Sequence, residues 1–166
     1  MSGYLIAFEG GEGSGKSTQA RRLADRLGGR ALFTFEPGDS VLGAQLRLLL
    51  LDTEALEITD RAEALLMAAD RAQHVAEVIR PALEAGRTVI TDRYAGSSVA
   101  YQGYGRQLPA GEVEQLSRWA TDGLWPDLVL LLEVLEVVGQ RPVMMGQRPG
   151  SAGLKHGSAP QGSAPP

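Results

Sequence analysis

A chain of 166 residues, 43% hydrophobic and 22% charged, has the size and composition of one soluble globular domain with a sizeable core. Its net charge of −4 argues against a nucleic-acid footprint, and no apolar run approaches the roughly 20 residues that span a bilayer. The absence of cysteine excludes thiolate metal sites and cysteine nucleophiles; the absence of asparagine excludes the guanine-reading N-K-x-D motif and the protein-kinase catalytic-loop asparagine. The first residues lack a charged region, an apolar run and a cleavage site, so a cytoplasmic location is expected.

Residues 4–8 form a short apolar run of strand formers, as expected of a central parallel strand covered on both faces. Residues 8–18 then read F-E-G-G-E-G-S-G-K-S-T, which contains G-x-x-x-x-G-K-[ST]. Glycines let consecutive backbone N–H groups turn toward one anion, Lys16 adds a point charge, and the Ser17 hydroxyl can ligate Mg²⁺. The phosphate-binding set is therefore Gly10, Gly11, Glu12, Gly13, Ser14, Gly15, Lys16, Ser17 and Thr18. From Ser17 the positions Ala20, Leu23, Ala24 and Leu27 follow helical spacing until Gly28 and Gly29 can end the helix. Residues 31–35 make a second strand and complete a βαβ unit.

Glu36-Pro37-Gly38 breaks that strand, and residues 41–51 have helical spacing with Leu42, Leu46, Leu49 and Leu50 as core candidates. A longer helical region over 59–85 carries an apolar face of Ala62, Leu65, Leu66, Ala69, Ala76, Ile79 and Leu83, and Pro81 should kink or divide it. Residues 87–91 form the third strand, with Asp92-Arg93-Tyr94 at its carboxyl end, where open α/β sheets bind ligands. A helix starting near Ser97, a helix over 112–121 and a fourth strand over 127–134 follow. Four strands alternating with helices define an α/β class with a mainly parallel sheet and helices on both faces.

Residues 89–103, V-I-T-D-R-Y-A-G-S-S-V-A-Y-Q-G, closely resemble the signature of the thymidylate kinases. Glu36-Pro37-Gly38, residues 65–71 (L-L-M-A-A-D-R) and residues 121–128 (T-D-G-L-W-P-D-L) match the same family in order and spacing, so the resemblance covers about residues 3–134. It implies a P-loop nucleoside-monophosphate-kinase fold, transfer of the γ-phosphoryl group of ATP to dTMP with Mg²⁺, and a homodimer. Lys16, Asp92 and Arg93 resemble the catalytic set, with Ser17 and Asp92 near the metal and Arg93 and Arg47 on the acceptor phosphate. Glu12 matches an acid that faces the deoxyribose 3′-hydroxyl. Arg71 and Gln102 look like groups on the thymine edge, and Glu36, Met67, Ser98 and Tyr101 complete the implied dTMP contacts. Another nucleoside-monophosphate kinase is the alternative enzyme.

Met67 stands where many relatives have phenylalanine, and Phe35 where the common version has arginine. The kinase core is expected over 1–138. From 139 to 166, 11 of 28 residues are Gly or Pro and none is acidic, a composition that predicts disorder. Here the resemblance lapses: the family's fifth strand, adenine-contacting segment and final helix have no counterpart. The candidate lid arginines Arg141 and Arg148 both precede proline, which disfavours helix. We read the tail as replacing a folded ending, through a frameshift or truncation; reading the gene in its other two frames tests this. The resulting expectation is a dTMP site largely present, impaired phosphoryl transfer and, in the limit, a non-catalytic remnant with an exposed fourth strand.

Overall fold

The computed structural model describes residues 3–51 and 57–134. The expected tail, Arg141 and Arg148 lie outside the described residues. Four parallel strands, β1 (Leu5–Gly10), β2 (Ala31–Phe35), β3 (Thr88–Asp92) and β4 (Leu128–Leu132), form a sheet in the order β2-β3-β1-β4. This reproduces the expected placement of β1 at the centre. Asp127 anchors the register of β4: its N–H donates to Leu5 O (2.8 Å) while its Oδ2 accepts the Leu5 N–H (2.7 Å).

Strand alternation divides the core into two layers. Leu5, Ala7 and Val89 face Val75, Ile79, Ala82 and Leu83 of the long helix; Phe8 and Ile90 face Ala20, Leu23 and Leu27 of α1 (Lys16–Leu27). The sheet therefore has helices on both faces. Among the described residues β4 pairs only with β1, and Leu128, Val129 and Leu131 are exposed.

Helix α2 (Val41–Leu51) occupies the expected range, but its leucines are not mainly core. Leu46 is buried, whereas Leu42 and Leu49 are exposed together with Val41, Leu48 and Leu51. The long helical region is α3 (Asp60–His74), a π turn (Val75–Ile79) and α4 (Arg80–Glu84). Pro81 lacks an N–H and would crowd the carbonyl four residues back, so the turn that leads to it is widened rather than broken.

The expected apolar face of this region is also corrected. Ile79 and Leu83 are buried, but Leu65, Ala69 and Ala76 are exposed and Ala62 and Leu66 only half-buried. The inward face of α3 instead carries Ala64 and Ala68, where the helix packs against α2 and α6 (Ala110–Ala120), and then Asp70, Arg71 and His74. Hydrogen-bonding partners on neighbouring elements meet Arg71, His74 and one oxygen of Asp70, which makes the burial of that polar run tolerable, while Asp70 Oδ2 has no partner among the described residues. Helix α5 (Ala95–Ser98) continues as a π turn, Val99–Gly105, so Gly103 and Gly105 lie within a widened turn.

Candidate functional site

The glycine-rich loop joins the end of β1 to the start of α1, and Gly13 and Gly15 adopt positive φ (74° and 81°) that suits glycine. No side chain caps α1, which leaves its first amides available to an anion. Lys16 folds back so that Nζ donates to Gly11 O (3.1 Å), and the Ser14 hydroxyl donates to the same carbonyl (2.8 Å). Burial, followed by the charge of Arg93, lowers the Lys16 pKa against the opposing pull of Asp92, Glu12 and Glu9.

Opposite the loop, the chain leaves β3 through Arg93, a non-glycine residue at φ 74°. Such a conformation costs about 1–3 kcal/mol and persists where its surroundings over-determine it. Here Arg93 N donates to Phe8 O (2.9 Å), Thr91 Oγ1 donates to Arg93 O (2.8 Å), and Arg93 Nη1 donates to Ser97 Oγ (3.1 Å). Its guanidinium lies 5.1 Å from the Tyr101 ring centroid.

Glu9, outside the sequence-derived set, braces this turn. Its carboxylate accepts Tyr94 N (3.0 Å) and Ser97 Oγ (2.6 Å), and burial raises its pKa despite those bonds. An acid at the end of a central strand was the available signal, but it has no meaning until the turn after β3 lies beside it.

A cavity of about 480 Å³ separates the two walls. Glu12, Gly13, Lys16 and Ser17 line it from the loop, and Glu36, Arg47, Asp92 and Arg93 from the other side. Phe35, noted in the sequence where the common version has arginine, also lines it, as do Arg21 and Phe33, which no sequence motif singled out. Phe33 and Phe35 share one face of β2, with the guanidinium of Arg21 4.2 Å from the first ring and that of Arg47 5.8 Å from the second. Arg47 Nη1 donates to Pro37 O (2.6 Å); Gly38 permits the approach, since a Cβ there would meet Arg47 Cδ at 2.7 Å. Gly10, Gly11, Ser14, Gly15 and Thr18 belong to the loop and helix start beside the cavity rather than to its lining.

Five residues of the expected nucleotide set lie behind or beside the wall: Met67, Arg71, Ser98, Tyr101 and Gln102. Arg71, 1% exposed, donates to Glu36 Oε2 (2.8 Å), Ser117 Oγ (3.0 Å), Ser98 Oγ (3.0 Å) and Tyr94 O (3.3 Å). Gln102 Nε2 donates to Glu63 Oε1 (2.9 Å), while its buried Oε1 has no partner among the described residues. Met67 and Tyr101 are half-buried. Asp70 Oδ1 accepts Gly38 N (3.0 Å), and burial reinforced by the Glu36 charge raises the Asp70 pKa to about 6.

Asp92 Oδ1 is buried without a partner among the described residues, and Asp92 shares the cavity with the exposed Ser17. A carboxylate and a hydroxyl are suitable oxygen donors for Mg²⁺, which commonly keeps water and phosphate as its other ligands.

A βαβ start, a phosphate loop on the central strand and a cation-lined cavity at the strand ends define a P-loop nucleoside-monophosphate-kinase fold. The Thymidylate kinase family model matches residues 8–151. A Cutibacterium acnes thymidylate kinase is 54% identical over 137 residues, covering 81% of this chain and 67% of that protein. A thymidylate kinase of Bifidobacterium longum subsp. infantis is 55% identical over 140 residues, with 81% and 60% covered. The crystal structure of thymidylate kinase from Ehrlichia chaffeensis superposes with a TM-score of 0.74 at 33% identity, over 80% of this chain and 76% of that one. This chain belongs to the thymidylate kinase family. Its match spans 60% to 68% of the length of these curated relatives and of a third, from Bifidobacterium longum.

Proposed function

We propose that this chain binds ATP and dTMP in the cavity and transfers the γ-phosphoryl group to dTMP, giving dTDP and ADP. The supporting observation is that Lys16 of the phosphate loop shares one cavity with Arg47 and Arg93. Loop amides and Lys16 hold the donor phosphates, while the two guanidinium forks hold the acceptor phosphate. A dTMP phosphate oxygen forms the new bond to the γ-phosphorus, the β–γ bridging P–O bond breaks, and ADP leaves with the electron pair. Catalysis is then mainly alignment and charge stabilisation. Ser17 and Asp92 would hold Mg²⁺, which supplies further positive charge to the phosphates when bound. Glu12 would take the deoxyribose hydroxyl, and Arg71, Gln102, Ser98, Tyr101 and Met67 would shape the base side of the site from behind and beside the wall.

Calorimetric titration with dTMP and ATP beside a coupled ADP-release assay tests this reading. The expected result is binding of both nucleotides, with turnover preferring dTMP over dUMP, CMP and AMP. A preference for AMP would overturn the acceptor assignment, and binding without turnover would reduce the chain to a nucleotide-binding remnant. The exposed residues Val41, Leu42, Leu48, Leu49 and Leu51 of α2, with Leu65 of α3, support a homodimer formed on this face. Leu48→Glu should then yield monomers in analytical ultracentrifugation; an unchanged sedimentation coefficient would exclude that face.

A further inference from the structure

Glu36 lines the cavity, yet both of its oxygens are engaged from behind. Oε2 accepts Arg71 Nε at 2.8 Å, and Oε1 lies 3.0 Å from His74 Nδ1. His74 is fully buried and does not line the cavity. Its second ring nitrogen, Nε2, lies 2.5 Å from Thr34 Oγ1, and that hydroxyl donates to Asp39 Oδ2 at 2.5 Å.

Proton bookkeeping along this chain assigns the ring. A hydroxyl has one proton, and Thr34 spends its own on Asp39, so Oγ1 can only accept from the imidazole. His74 Nε2 therefore carries a hydrogen. Glu36, paired with the guanidinium of Arg71, is an acceptor-only carboxylate, so Nδ1 carries the other.

We infer that His74 is a positioning residue for the acceptor nucleotide: an imidazolium donating through both nitrogens, it pins the Glu36 carboxylate at the cavity wall. The inference rests on the reading of this wall as the dTMP side. Two buried donors orient the carboxylate, leaving it able to accept an O–H or N–H from the nucleotide in a preset direction. Asp70, on the same helix, and Arg71 are the other charged groups beside the cluster, so three acids, Glu36, Asp39 and Asp70, and one permanent cation surround the ring. A histidine held this way acts on binding through Glu36 without touching the ligand.

The test combines nitrogen NMR of the ring with nucleotide titrations. In the wild-type protein at neutral pH, the two His74 nitrogens should give the matched signals of an imidazolium. His74→Gln should raise the dissociation constant for dTMP roughly tenfold, as expected for a lost charge-assisted hydrogen bond, and leave that for ATP unchanged. Asp39→Ala releases the Thr34 proton toward Nε2. It should move the ring signals to a neutral tautomer and weaken dTMP in the same sense, which keeps the inference testable should His74→Gln fail to fold. A neutral ring in the wild type, unchanged dTMP affinity or an equal loss for both nucleotides would each overturn the proposal. Wild-type protein that binds ATP but not dTMP would overturn the proposed substrate, while the ring signals still report independently on His74.

Discussion

The loop wall of the cavity comes from one short stretch, Glu12, Gly13, Lys16 and Ser17, with Arg21 a turn further along α1, whereas the opposite wall gathers Phe33, Phe35 and Glu36 from β2 and its exit, Arg47 from α2, and Asp92 and Arg93 from β3 and its exit. On the first wall, backbone amides and one lysine make the binding surface. On the second, side chains do so, supported by Arg71, His74 and Glu9 behind them. A locally encoded wall should tolerate changes elsewhere. A wall assembled over long sequence separations should lose stability and acceptor affinity together when its support is cut.

Arg71→Leu is the most severe way to break the second wall. It leaves Glu36 buried without its guanidinium, and removing one member of a buried pair costs about 3–5 kcal/mol. Thermal denaturation should show a midpoint lowered by roughly 10 °C. Lys16→Ala should lower kcat/KM by about 10²–10³-fold, as does loss of a group that stabilises developing charge, with the melting temperature nearly unchanged. Steady-state kinetics beside a melt would blur the contrast between walls if both quantities fell together. Arg93→Ala should weaken dTMP by roughly 10- to 100-fold, with ATP affinity retained in calorimetry.

The smallest expected effect concerns Asp70. Its folded pKa is raised from 3.8 to about 6, so between those values the folded state holds more protons than the unfolded chain. Its contribution therefore becomes less favourable as pH rises through that window, and its penalty is fully present above about pH 6. Asp70→Asn should remove that slope, gaining roughly 3 °C over the wild type at pH 7.5 relative to the difference at pH 4.5, the scale of about 1 kcal/mol in a chain of this size. Parallel melting curves across that range would show that Asp70 does not couple the wall to pH.

Elements whose fate depends on near neighbours were legible. The short apolar runs of β1 and β2, the spacing in α1 and the run of glycines before Lys16 each specify local backbone without reference to the rest of the chain. Residues 41–51 were legible as a helix but not in orientation, because leucine spacing records an apolar stripe and not what covers it. Helix α3 misled for the same reason: its leucines suggested the inward face, yet Asp70, Arg71 and His74 turn inward because Gly38, Glu36, Thr34, Ser98 and Ser117 converge on them with matching donors and acceptors. Glu9, Arg21 and Phe33 carried no motif at all, and they join the site or its support through the paths of β1, α1 and β2.

By itself the sequence determined the class of fold, the phosphate loop and the family resemblance, since these rest on short-range periodicity and contiguous motifs. Tertiary structure decided which face of each helix is buried, which candidate residues reach the cavity and which support its wall from behind. The reason is physical: burying a charge is tolerable only where partners from distant segments meet it, and that condition belongs to the folded chain.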